Sequence, residues 1–170
     1  MHTIKKTLIL VLCLCFLAPA QEARAQDVEK VQAIFILNFT KYIQWPATSG
    51  EMTIGVFGNS RVLLELNSLA AKKADLKVNI IKIASEAEIA SCDVIFIPEE
   101  QYRNLSTIES AVNGNAVLIV TETEMPIQES KGGIGFYMEN NKLKFVINRS
   151  HIEDKNMKVS NNLLGLAKVI

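Results

Sequence analysis

A nucleophile–base pair or a transition-metal site has little to draw on in this sequence, which holds two histidines and three cysteines. His2, Cys13 and Cys15 fall in an N-terminal segment read below as an export signal, which leaves His151 and Cys92. A Ser-His-Asp or Cys-His device would have to use His151. That residue sits in the polar stretch RSHIEDK, with no G-x-S-x-G motif or cysteine-protease signature anywhere in the chain. It reads as a surface histidine on a helix turn. A zinc-type site needs several His or Cys ligands, and a calcium loop needs alternating acids; neither pattern occurs. GVFGNS, residues 55–60, has the setting of a phosphate loop, after a strand and before a helix, but matches neither G-x-G-x-x-G nor the Walker pattern. It reads as a tight βα turn. Glu99 and Glu100 follow Pro98 at a strand's C-terminal end, where α/β ligand sites cluster; as paired loop acids they read as solvated. Three Asn-x-Ser/Thr triplets begin at Asn38, Asn104 and Asn148. The first falls inside a helix, so the set is weak. The expectation is a protein with no catalytic residues, no cofactor and no metal, and not an enzyme.

A second kind of chemistry is contact. Phe35, Phe39, Tyr42 and Trp45 lie on or just past one helix, and Trp45 is the only tryptophan. Their spacing suits a core face. The functional reading beside it is an exposed anchor for a partner, since aromatic residues dominate interface hot spots. Phe39, Tyr42 and Trp45 are therefore the candidate partner-binding residues, with core and interface readings both open.

The elements that position these residues begin after a removable segment. Lys5 and Lys6 precede the apolar run Thr7 to Leu17, Pro19 breaks it, and Ala23-Arg24-Ala25 offers a small-x-small cleavage site. The run is shorter than the roughly 20 apolar residues of a membrane span. Residues 1–25 are thus expected to be a signal peptide, cleaved after Ala25 on export. Residues 26–170 form one domain, with 15 basic and 17 acidic residues. Such a balance gives no field for a polyanion, so nucleic acid is not an expected partner. A chain of that length buries enough surface to fold without disulfides. Cys92, without an intramolecular partner, is expected to be a buried thiol that behaves as a small hydrophobe.

The domain alternates helices and strands. Val28 to Gln44 reads as a helix capped by Asp27 and stopped by Pro46, its apolar stripe drawn through Val28, Val31, Phe35, Phe39 and Tyr42. Strands are expected at Met52 to Phe57, Val78 to Ile83, Asp93 to Ile97 and Ala116 to Val120. Helices are expected at Arg61 to Ala71, Ser85 to Ala90 (with Glu88 in the capping-box position) and Asn104 to Val112. Ile134 to Met138 and Lys142 to Ile147 read as a hairpin around Glu139-Asn140-Asn141. Asn148 can cap a short helix, and Asn161 to Ile170 reads as a final helix burying Leu163, Leu164, Leu166 and Ala167. The expected fold class is α/β: a mostly parallel sheet flanked by helices on both faces, with a C-terminal antiparallel hairpin.

Four segments together resemble the YfiR family of exported regulatory proteins. They are VQAIFILNFTKYIQWP (31–46), SCDVIFI (91–97), KGGIGFYMENNKLKFVIN (131–148) and VSNNLLGLA (159–167). The matching positions Gly132, Gly133, Asn148, Ser160, Leu163 and Leu164 read as mainly structural. The resemblance implies a periplasmic signalling regulator that binds and represses the periplasmic sensor region of an inner-membrane protein, a diguanylate cyclase or a sensor kinase. It also admits an outer-membrane lipoprotein and a second copy of the chain as partners. The namesake carries disulfides that make it redox-sensitive; Cys92 matches a family cysteine position but has no partner cysteine in the domain, so the resemblance leaves open whether redox control survives with Cys92 alone. The alternative reading is a periplasmic small-ligand-binding protein using the strand ends near Gly58 and Pro98.

Overall fold

The computed structural model describes residues 19–46, 50–73 and 76–170, with side chains from Val28 onward. Most of the expected export signal, residues 1–18, lies outside the described residues.

Helix α1 spans Pro19–Tyr42, so Asp27 lies within it and does not cap it. The run QEARAQ is made of good helix formers and gives no stop signal. Its buried face is also rotated from the expected stripe. Ala33, Ile36, Leu37 and Phe39 are buried, whereas Val31, Ile34 and Tyr42 are exposed. Apolar residues surround this helix on nearly every side, so periodicity alone could not choose the face. The sheet beneath it does.

After α1 the order is β1 (Ile43–Gln44), β2 (Met52–Phe57), α2 (Arg61–Ala71), β3 (Val78–Ile83), α3 (Glu86–Ile89) and β4 (Val94–Ile97). A 3₁₀ turn (Glu99–Asn104) leads into α4 (Leu105–Ala111), then β5 (Leu118–Thr121), α5 (Met125–Gln128), and the hairpin β6 (Ile134–Glu139) and β7 (Lys142–Ile147). The chain closes with α6 (Arg149–Glu153), β8 (Lys158–Val159), α7 (Asn161–Leu164) and β9 (Lys168–Val169). The hairpin turn is the two residues Asn140 and Asn141, at φ 51° and 58°. That double left-handed conformation suits a tight hairpin and is one asparagine tolerates.

The main sheet has the order β3-β2-β4-β5-β6-β7-β9. β3, β2, β4, β5 and β6 run parallel; β7 is antiparallel to β6, and β9 is parallel to β7. The first five strands follow the doubly wound order 2-1-3-4-5. β1 and β8 form a separate antiparallel pair. Strand alternation sends Val94 and Phe96 to one face and Ile95 and Ile97 to the other. The first face packs on α1, α2, α6 and α7; the second packs on α3 and α4.

The expected final helix is one turn only. It stops at Gly165, and the chain then turns into β9 beside β7. Leu166 is 71% exposed and does not belong to a buried face; Leu163 is buried, with Leu164 and Ala167 half-buried against the same core. Two-residue strands such as β1, β8 and β9 have no pattern of their own; only their pairing makes them strands.

Candidate functional site

The aromatic helix meets the hairpin. Phe136 and Phe145 stand opposite each other in the β6–β7 register. The Phe39 ring lies 6.1 Å from Phe136 and 5.2 Å edge-on from Phe145, and Phe35 stacks on Phe39 at 6.2 Å. Phe39 is fully buried and Trp45 is 8% exposed, while Tyr42 is 43% exposed. The expectation of an exposed anchor made of all three is corrected: two hairpin rings draw Phe39 inward, and Trp45 folds under the core. Tyr42 remains on the surface. It borders a shallow groove of about 400 Å³ lined also by Lys41, Gln44, Lys158 and Ser160, along the β1–β8 pair.

The motif residues at the N-terminal ends of the parallel strands hold turns. Gly132 has φ +95°, a conformation glycine adopts freely. A Cβ on Gly133 would stand 2.8 Å from Ile152 and 3.0 Å from Leu118, so α6 and β5 close over it. Asn148 Oδ1 accepts the His151 backbone N–H at 3.0 Å, and Ser160 Oγ accepts that of Leu163 at 3.3 Å; both are helix N-caps. His151 is not a free surface histidine. Its Nε2 lies 3.0 Å from Glu109 on α4, with Lys155 Nζ 3.8 Å from the same carboxylate. Burial would raise the Glu109 carboxyl, but the His151 hydrogen bond and charge, the Lys155 charge and the Gly132 backbone N–H outweigh it and hold the group below the usual range.

The C-terminal strand ends carry a different constellation. Here the strand order reverses between β2 and β4: the chain leaves β2 for α2 on one face and β4 for α4 on the other. Gly58 sits after β2 at φ +74°, with Gln101 3.2 Å from where its Cβ would be. Ser60 Oγ caps α2 by accepting from Val62 N. Glu99 and Glu100 open the 3₁₀ turn, both exposed as expected. The Glu99 backbone N–H donates to Glu122 at 2.8 Å. Tyr102 Oη accepts the Thr123 N–H at 2.7 Å, and Thr121 Oγ1 donates to the Thr123 carbonyl at 2.7 Å, tying the β4 and β5 loops together. Glu122 is pushed above the usual carboxylate range by burial and by the charges of Glu100 and Glu99, despite that N–H. Glu29, near the middle of α1, is also raised, by burial and by Glu122 and Glu65 against the favourable charge of Arg61. Sequence reasoning found Gly58 and the Glu99–Glu100 pair but missed Glu29, Gln32 and Glu122. Glu and Gln, whether on a helix like Glu29 and Gln32 or in a loop like Glu122, carry no signal of burial.

Cys92 is buried and free; its S–H donates to the Glu88 carbonyl, and burial pushes the thiol up to about 11. A Cβ on Gly55 would stand 2.6 Å from its Sγ, so the pair fills one space in the core. Among the described residues, no three His, Cys, Asp or Glu side chains are grouped to hold a metal ion, and no helix is long and apolar enough to cross a membrane.

The profile of the YfiR/HmsC-like family matches residues 29–168. The chain belongs to that family. No curated protein sequence matches it closely. Among solved structures, it is similar to an ABC domain from Streptococcus pneumonia in complex with L-Trp, with 18% identity and a TM-score of 0.56. The match covers 84% of this chain and 62% of that one, so the chain spans less than two thirds of its structural relative. This likeness is one of fold.

Within this YfiR/HmsC-like chain the matched stretch takes in the aromatic helix from Glu29, the hairpin and the short α7. The rings of the first family segment and those of the third are thus one packing unit, Phe35 and Phe39 against Phe136 and Phe145.

Proposed function

We propose that this protein is an exported periplasmic regulator that binds the periplasmic sensor region of an inner-membrane signalling protein, a diguanylate cyclase or a sensor kinase, and represses it. Membership of the YfiR/HmsC-like family carries the reading. Two observations support it. The described residues offer no nucleophile–base pair: His151 is engaged with Glu109, and Cys92 is buried with its thiol protonated at neutral pH. An exposed Tyr42 beside a shallow groove suits contact with a protein surface better than enclosure of a small molecule. An outer-membrane lipoprotein that sequesters the regulator, and a second copy of the chain, are the further partners of this reading. Removal of residues 1–25 goes with it, since the regulator must reach the periplasm. Mass spectrometry of the native protein should place the N-terminus at Gln26; an intact Met1 on a membrane-bound form would contradict export by cleavage. The partner reading is tested by coexpression with the inner-membrane cyclase or sensor kinase that the mature domain captures from membranes. Repression of that protein's cyclase or kinase output supports the reading, and an output indifferent to the regulator refutes it.

A further inference from the structure

Lysines without acids gather at the C-terminal end of α1. Lys41, in its last turn, stands between two grooves. One, of about 400 Å³, follows the β1–β8 pair and is lined by Tyr42, Gln44 and Lys158. The other, of about 340 Å³, lies beside the starts of β2 and β3 and is lined by Met52 and Lys77. Lys41, Lys77 and Lys158 are exposed and make no ion pair among the described residues. Among those residues, no acid lines either groove. Asp93 accepts the Thr53 N–H at 2.7 Å, and Glu153, across β8, pairs with Arg149 at 2.7 Å. Glu51 is exposed beside Gly50 and lines neither groove. Lys41 complements the dipole of α1, but Lys77 and Lys158 lie beside or within strands and have no such role. The domain holds more acids than bases, so this surface reverses the sign of the whole.

The ribbon along the larger groove is also unfinished. β1 and β8 pair with each other and with no further strand among the described residues. Ile43 and Val159, opposite each other, pack on the core, so alternation turns Gln44 and Lys158 outward. We propose that this surface docks an acidic, extended segment of the membrane signalling protein, with carboxylates on Lys41, Lys77 and Lys158 and an apolar side chain against Tyr42. The inference rests on the regulator reading above and names the chemistry of its partner. Charge complementarity selects the acids. The free ribbon edge suits an extended chain, whose main chain can add to it while alternate side chains meet the lysines. A concave surface with one aromatic residue fits a peptide better than it fits a flat layer of anionic headgroups.

The test is fluorescence anisotropy of a labelled peptide of alternating glutamate and valine with the purified protein. A lysine–valine peptide and phosphatidylglycerol vesicles serve as rivals, at about 0.05 M and about 0.5 M salt. Saturable binding of the acidic peptide alone is expected, weaker at the higher salt. It should fall about tenfold in Lys41→Glu and in Lys158→Glu, since each turns an attraction into a repulsion. Lys82→Glu, an exposed site near the far end of β3, should leave it unchanged. Melting curves accompany each variant, and Lys158, on no helix, keeps the test open if Lys41→Glu disturbs α1. Absence of saturable binding by the native protein overturns the proposal, as does binding indifferent to Lys158→Glu. Preference for the vesicles overturns it in favour of a membrane surface. A captured cyclase or kinase repressed equally by native and Lys158→Glu protein overturns the docking surface and leaves the regulator reading standing. Acidic-peptide binding with no such protein captured supports the surface and overturns only the regulator reading.

Discussion

At the N-terminal ends of the strands, the Glu109 carboxylate faces His151 at 3.0 Å and Lys155 at 3.8 Å, and its carboxyl is held low. At the C-terminal ends, Glu122 has one backbone N–H, Glu29 keeps a buried oxygen without a donor, and both carboxyls are raised. Burial pushes all three the same way; the supply of partners decides the sign. One rim is finished within the chain. The other is not, and α1 connects the two, carrying Glu29 and Gln32 near its middle and Tyr42 at its C-terminal end.

The largest effect is expected where α1 crosses between the rims. Phe39→Ala removes a fully buried ring packed on Phe136 and Phe145, and should cost about 3–5 kcal/mol in a urea melt. A much smaller cost would mean that the helix is not anchored by the hairpin.

Next is the finished rim. Glu109→Gln leaves His151 and Lys155 without their carboxylate and should cost about 1–3 kcal/mol near neutral pH. The pH dependence has a defined sign. The Glu109 carboxyl is lower in the folded state, so its stabilisation is present above the unfolded value of 4.5 and is lost as pH falls through the folded one. The variant should therefore flatten the acid limb of the stability curve. Equal acid limbs in variant and native protein would show that the triad contributes nothing.

Cys92→Ser, between the rims, should cost about 1–2 kcal/mol, from placing a hydroxyl in an apolar site, with identical melting in oxidising and reducing buffer. A large DTT-dependent shift in the monomer would refute the inert-thiol reading.

The smallest effect is expected at the unfinished rim, with opposite sign. Glu122 is raised in the folded state, so its contribution is full below the unfolded 4.5 and is lost as pH rises through the folded value. Glu122→Gln can still accept from the Glu99 N–H, and should leave stability at neutral pH unchanged or raise it by less than about 1 kcal/mol. A clear loss would erase the contrast between the two ends.

Much of the frame was legible in the chain. DVIFI and AVLIV read as covered strands because β-branched runs bounded by turn residues have few other homes. Asn148 and Ser85 announced their caps. The face of α1 was not legible, because Val31, Ile34, Phe35, Ile36, Leu37 and Phe39 leave no polar side to read. Nor was β9, a strand only by its pairing with β7, nor the strand order. For the candidate site, Gly58 and Glu99–Glu100 could be placed by their position after strands, and the aromatic cluster was found. That Tyr42 alone stays exposed, and that Gln32 and one carboxylate oxygen of Glu29 are shut in, depends on tertiary placement that no local pattern carries.

The central claim is regulation by contact, and its most direct measurement is capture from inner-membrane extracts with the purified protein as bait, native beside Tyr42→Ala. Tyr42 is exposed, so the variant should melt within about 0.5 kcal/mol of the native protein. The native protein should retain a membrane protein that carries a cyclase or kinase output domain. The variant should bind it about thirtyfold more weakly, the effect of losing an aromatic anchor worth about 2 kcal/mol. Failure of the native, folded protein to retain any such signalling protein would contradict the claim; full capture by Tyr42→Ala would remove the contact from this end of α1.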